Sequence, residues 1–210
     1  MKRLSKVKIE WSANFSYAIG LMATDGCLSK DGRHMDITSK DEELIILFKK
    51  CFEIQNATGL KRRMKERERK YYRVQFGDKN FYDFLLGIGI TPAKSKTLGS
   101  LKIPDSYFAD FLRGCIDGDG NIQIVRHPES KHIQLRTRIS SASLNFLNWI
   151  KEKVNKILAI DGGYIWKGKG VWVLTYAKAD SVKLLNFIYY SKEVPYLMRK
   201  RIIAMPFLRI

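Results

Sequence analysis

Apolar residues are densest in two places, and the two places resemble each other. Phe15 and the nearly unbroken apolar run Tyr17–Ala23 predict a helix buried on most of its sides. That run leads into Asp25-Gly26. Phe111-Leu112-Arg113-Gly114-Cys115-Ile116 leads into Asp117-Gly118-Asp119-Gly120 with the same order of aromatic, apolar, glycine, two apolar and finally Asp-Gly, 94 positions later. The likeness continues downstream, as an internal repeat requires. Ile37-Thr38-Ser39 opens the amphipathic run Asp41–Glu53, and Ile139-Ser140-Ser141 opens another that ends at Leu158. Tyr72–Phe76 and Trp172–Tyr176, now 100 positions apart, alternate like strands and precede further helical stretches. Each half therefore reads helix, hairpin, helix, hairpin, helix, an α+β plan. The expected boundary is the connector Leu101–Asp105 interrupted by Pro104, giving halves 1–103 and 104–210.

The two Asp-Gly helices carry the candidate chemistry. Ser12 or Asn14 can cap the first and Asp105 or Ser106 the second, while Gly26 and Gly120 suit the left-handed position beyond a helix end. Gly20 and Gly114 lie inside helices, where glycine costs about 1 kcal/mol relative to alanine. Close approach of the two helices would compensate, because Gly20-x-x-x-Thr24 and Gly114-x-x-x-Gly118 each line one face with small residues. Packed in parallel, they would present Asp25 and Asp119 together at helix C-termini, where partial negative charge and free carbonyls add to the carboxylates. Such a cluster attracts hard divalent cations. An EF-hand reading of Asp117, Asp119 and Asn121 fails, since Ile122 and Pro128 occupy its glycine and glutamate positions.

The strands have polar faces of a consistent kind. Gln134, Arg136, Arg138 and Ser140 alternate with Ile133, Leu135, Thr137 and Ile139. His34, Asp36 and Thr38 oppose Met35 and Ile37, and Tyr71, Arg73 and Gln75 oppose Tyr72, Val74 and Phe76. Gln123 lies on the strand that follows the second Asp-Gly, and Arg63, Lys65 and Arg67 fall in the basic run Lys61–Lys70. Charge confirms the direction: 38 Lys+Arg against 21 Asp+Glu leave +17 over 210 residues, the signature of a polyanion partner. Cys27, Cys51 and Cys115 lack C-x-x-C spacing and read as small buried hydrophobes in a reducing compartment, and His34, His127 and His132 lack metal-ligand spacing, which argues against zinc. No apolar run reaches membrane-spanning length and no signal-peptide core opens the chain. An intracellular protein is expected, in the cytoplasm or an organelle, and not a secreted one.

These residues resemble the LAGLIDADG homing endonuclease family in its single-chain form with two motifs, over about residues 11 to 205. The resemblance implies two pseudo-symmetric αββαββα halves whose antiparallel sheets form a saddle over double-stranded DNA, with the motif helices at the centre. It further implies that Asp25 with the Thr24 carbonyl, and Asp119 with the Gly118 carbonyl, bind catalytic Mg²⁺, for which Mn²⁺ can substitute. Lys40, Lys94 and Lys200 match basic positions near the scissile phosphates, and Ala142 occupies the place of Lys40 in the second half. Departures from the motif (Ala18-Ile19, Ala23, Arg113 and Cys115) leave both metal-binding aspartates in place, and Asp117 is assigned a structural role. The implied activity is cleavage of both strands at a roughly 20 bp asymmetric site by a monomer, in intron homing. The terminal Phe207-Leu208-Arg209-Ile210 lacks the His-Asn of an intein-embedded copy. Two alternatives are an intron maturase with RNA as partner and a DNA-binding regulator that has lost cleavage.

Overall fold

A computed structural model describes residues 5–61, 71–126 and 133–209. The first half runs α1 (Ala13–Thr24), β1 (Gly26–Leu28), β2 (His34–Ser39), α2 (Glu42–Phe52), β3 (Thr58–Lys61), β4 (Tyr71–Gly77) and α3 (Lys79–Ile88). The second repeats it as α4 (Phe108–Asp119), β5 (Gly120–Arg126), β6 (Ile133–Ser141), α5 (Leu144–Leu158), β7 (Tyr164–Lys167), β8 (Trp172–Tyr176) and α6 (Lys178–Ile188), then adds α7 (Met198–Ala204). The strands form two antiparallel sheets with the same order, β1-β2-β4-β3 and β5-β6-β8-β7. The α+β plan expected from the repeat and the two antiparallel sheets implied by the resemblance are both present.

Alternation decides which face of each sheet is covered. Met35, Ile37, Val74 and Phe76 are buried, and α2 and α3 supply Phe48, Phe52 and Phe81 against them, with edge-on ring contacts such as Phe52–Phe81 at 4.9 Å. In the second half Leu135, Ile139 and Leu174 are buried with Phe146 and Leu147 of α5. Between the two layers α1 is buried from Phe15 through Ala23, as its unbroken hydrophobicity requires.

Helices α1 and α4 meet through their glycines. A Cβ on Gly20 would lie 2.2 Å from the Phe111 carbonyl oxygen, one on Gly114 2.1 Å from that of Tyr17, and one on Gly118 2.2 Å from Thr24 Oγ1. Tyr17 against Gly114 and Thr24 against Gly118 advance together along both helices, so they run parallel and end side by side. Asp117 turns back into this layer. It is wholly buried, accepts from Tyr17 Oη at 2.9 Å and from Leu197 N at 2.8 Å, and has the structural role expected of it.

Several local expectations are corrected. Gly26 and Gly120 start strands with extended backbone, φ −97° and ψ 165° at Gly120. Glycine is needed there because a Cβ would fall 2.6 Å from the Met22 carbonyl oxygen and 2.5 Å from that of Ile116. Ser12, not Asn14, caps α1 by accepting from Phe15 N. Neither Asp105 nor Ser106 caps α4: they form a 3-10 turn whose backbone leads directly into the helix, and Asp105 pairs with Lys153 at 2.5 Å. Cys51 and Cys115 are buried as expected, but Cys27 is exposed, because it alternates onto the polar face of β1.

Candidate active site

Asp25 is the C-cap of α1 and Asp119 the last residue of α4, so the parallel helices deliver both carboxylates to one place. Asp25 is partly buried and Asp119 open to solvent. Burial, reinforced by the neighbouring Asp119 charge, raises the Asp25 carboxyl to about 7, and burial also raises Asp119. The charges of Lys94 and Lys200 oppose both shifts. A partly buried carboxylate beside a second, more open one is a poor place for two negative charges and a good one for a hard cation.

The lysines occupy equivalent posts in the two halves. Lys94, in the 3-10 turn Lys94–Lys96, is buried and donates to the Gly26 carbonyl oxygen at 2.5 Å. Lys200, on α7, is buried and donates to the carbonyl oxygens of Ile116, Asp117 and Gly120 at 2.5, 2.8 and 2.8 Å. Each ammonium thus neutralises the end of its own motif helix, and burial lowers both, Lys200 to about 8. Lys94 also lines a cleft of about 220 Å³ with Thr24, Asp119, Ser140 and Ala142. Lys40, by contrast, is exposed at the end of β2, with its ammonium 5.4 Å from the Tyr71 ring centroid.

The basic positioning of Lys200 depends on a buried anchor in α4. Arg113, fully buried, donates to Asp110 at 2.6 Å and to the carbonyl oxygens of Ile188 and Pro195, also at 2.6 Å. With the Asp117–Leu197 bond, it ties the segment leading to α7 onto the motif helix. A departure from the apolar pattern at position 113 is therefore a structural ion pair in which Nε, Nη1 and Nη2 each donate within the fold.

On the polar sheet faces, the register sets His34, Asp36 and Thr38 opposite Gly77, Gln75 and Arg73. Asp36 and Arg73 bond each other through two contacts of 3.1 and 2.9 Å, and His34 pairs with Asp31. Gln75 is exposed. Tyr71 shares this face but is 8% exposed, so it supports Lys40 and is too covered to reach far outward. In the second sheet Arg136 pairs across from Gln123, and Arg138 bonds Gln123 Oε1 at 3.1 Å. Gln134, Arg136, Arg138 and Ser140 all stay partly exposed beside buried Leu135, Thr137 and Ile139. Arg63, Lys65 and Arg67 lie outside the described residues. The outer strand adds Tyr164 and Trp166 to the same face, which sequence reasoning missed; their alternation with Ile165 is the signal that could have found them.

Among the described residues no three His, Cys, Asp or Glu side chains gather. A cation here would therefore draw on two carboxylates and on backbone carbonyls at helix ends, an all-oxygen set suited to magnesium, manganese or calcium. Among the described residues no helix is long and apolar enough to cross a membrane.

No protein-family model matches the sequence, and no curated protein matches it. Solved structures do. I-WcaI bound to its DNA recognition sequence is similar over 97% of this chain and 88% of its own, with 12% identity and a TM-score of 0.62. I-DmoI in complex with DNA and Ca is similar over 92% and 97%, with 16% identity and a TM-score of 0.60. Full-length DUF199/WhiA from Thermatoga maritima is similar over 95% of this chain, with 12% identity and a TM-score of 0.58, and this chain spans 63% of that one. With two glycine-packed Asp-Gly helices and two four-stranded antiparallel sheets in repeated order, this chain has the LAGLIDADG fold, with one motif helix in each half.

Proposed function

We propose that the protein is a site-specific double-strand DNA endonuclease of the intron-homing type, acting as a monomer on a long asymmetric site. The observation that carries this reading is the convergence of Asp25 and Asp119 at the ends of two parallel helices, each helix end neutralised by its own buried lysine. A protein that only bound DNA would have no use for a carboxylate pair with one member partly buried. Asp25 and Asp119, with the carbonyls of Thr24 and Gly118, would hold Mg²⁺ or Mn²⁺. Bound there, such an ion supplies Lewis acidity toward phosphodiester oxygens and toward water. Asp119, the more open carboxylate, faces the cleft containing Lys94, while Asp25 is the more enclosed. Lys94 and Lys200 hold positive charge beneath the site and keep the helix ends from repelling a phosphate. The polar sheet faces, with Arg136 and Arg138 prominent, would enter the major groove.

The deciding experiment is incubation with a randomised duplex library and Mg²⁺, followed by sequencing of the cut ends. Recovery of one long non-palindromic consensus, abolished in the Asp25→Asn, Asp119→Asn double variant, is the expected result. Sequence-selective binding without cutting would instead favour a DNA-binding protein of the same fold.

Two further outcomes follow from individual side chains. Arg136→Ala or Arg138→Ala should weaken binding by about 1–3 kcal/mol and relax preference at one base position; uniform weakening over all sequences, read by competition binding, would mark a phosphate contact instead. Lys40→Met should slow one strand more than the other, because its counterpart is Ala142, so nicked plasmid should accumulate in a time course with each strand end-labelled. Equal rates on both strands would make Lys40 an ordinary surface lysine.

A further inference from the structure

The two sheets differ most at their outer strands. In the second sheet, pairing sets Asn121, Arg138, Thr175 and Tyr164 in one cross-strand row, and Ser140, Val173 and Trp166 in the next. Residues directly opposite share a face, so Tyr164 and Trp166 stand on the same side as Arg138, and Ile165 packs into the core behind them. Both aromatics are open to solvent, Tyr164 54% and Trp166 43% exposed. Two large aromatics this open, two residues apart on a short edge strand, form an exposed apolar patch.

Trp166 is nevertheless held in place. Its Nε1 donates to Thr175 Oγ1 at 3.2 Å, which lays the indole along the sheet. The ring carbons of Trp166 lie against the Gly168 backbone, where a Cβ would sit 3.5 Å away. With the N–H occupied internally, the ring offers only carbon outward. In the first sheet, the outer-strand position that pairs with Arg73 as Trp166 pairs with Val173 is Gly59. A Cβ on Gly59 would meet only the Arg73 carbonyl oxygen, at 3.9 Å, so the place held by Trp166 in the second sheet is open in the first.

We infer that Tyr164 and Trp166 form an apolar reading edge for the C-terminal half of the DNA site, recognising thymine through its C5-methyl group. This rests on the proposed DNA-cleaving function. The chemistry is the one apolar signal in the major groove: thymine alone presents a methyl there, and a carbon surface on the same face as Arg138, with β8 between them, discriminates it without a hydrogen bond. An aromatic on a strand edge cannot stack on bases within an intact duplex, so contact with a projecting methyl is the geometry that remains. Recognition is consequently unequal, with no side chain at Gly59 on the outer strand of the first half and an indole at the matching place in the second.

The test replaces thymine by deoxyuridine, one position at a time, in the site selected from the library, with binding and cleavage measured for the parent and for Trp166→Ala and Tyr164→Ala. Loss of one buried methyl contact should weaken parent binding about threefold to fivefold at one or two outer positions of the C-terminal half. The alanine variant responsible for a position should be indifferent to the same replacement, and Trp166→Leu, which keeps an apolar surface, should retain part of the sensitivity. If the parent binds and cuts its site but no deoxyuridine replacement in that half matters, the inference is overturned and the nuclease function stands. If sensitivity persists undiminished in both alanine variants, the methyl is read by another residue and the inference is again overturned. If no duplex is bound or cut, the function fails and takes the inference with it.

Discussion

Asp25→Asn is expected to abolish double-strand cleavage, on the order of 10³-fold or more, while making the metal-free protein more stable at pH 8. The second half of that expectation comes from the carboxyl's raised affinity for its proton. Asp25 is held at about 7 in the fold, whereas an unfolded chain releases that proton near the ordinary carboxylate range. Between those two values the folded state binds more protons than the unfolded state, so stability falls as pH rises through this window and stays reduced above it. Asparagine carries no charge to bury. It should gain on the order of 2 kcal/mol over the parent at pH 8 in EDTA, after discounting for partial exposure, and the gain should vanish near pH 4. Millimolar Mg²⁺ or Ca²⁺ should reverse the ranking by stabilising only the parent, since a cation bound to the fold adds stability with its concentration. Thermal melts across pH, with and without the ion, read all of this independently of cleavage. An Asp25→Asn protein no more stable than the parent at pH 8, and equally stabilised by the ion, would remove Asp25 from the cation site.

The parts of this arrangement that were legible in the sequence are the periodic ones. Period-2 alternation located β2, β4 and β6 and assigned their faces, and the Asp-Gly repeat located both motif helices. Mid-helix Gly20 and Gly114 were readable because glycine is costly there and needs a steric reason. The same reasoning misled at Gly26 and Gly120, where the absence of a Cβ serves close approach and not a left-handed backbone. Lys94 and Lys200 could be named as basic candidates but not placed. Each binds carbonyls 68 to 84 positions away, and no local pattern in Thr91–Ser100 announces a buried ammonium. Tyr71 shows a subtler gap: alternation assigned its face correctly, yet its burial depends on neighbours that alternation does not describe. In the four-residue strand Tyr164–Lys167 the only signal is one alternation, Tyr164 and Trp166 about Ile165.

Gly114→Ala is expected to be the most damaging small substitution at the helix pair. The new methyl would sit 2.1 Å from the Tyr17 carbonyl oxygen and 3.0 Å from its carbon, both backbone atoms of a helix fixed on every side. No rotamer relieves that overlap, so α1 and α4 must separate, and their separation disturbs the packed layers of both halves. A loss of about 3 kcal/mol or more follows, which lowers the melting temperature of a chain this size by roughly 6–12 °C. Gly20→Ala, with its methyl 2.2 Å from the Phe111 carbonyl oxygen, should behave alike. Gly87→Ala is the control: it is an exposed position in α3 with nothing within 4 Å of the added methyl, and alanine should raise stability there by up to about 1 kcal/mol. The helix pair also sets the spacing of Asp25 and Asp119. At a temperature where Gly114→Ala remains folded, DNA binding by the sheets should therefore survive better than cleavage. A Gly114→Ala protein that melts within 2 °C of the parent, with cleavage intact, would show that the helices have slack at their crossing and that close glycine contact does not hold the carboxylates together.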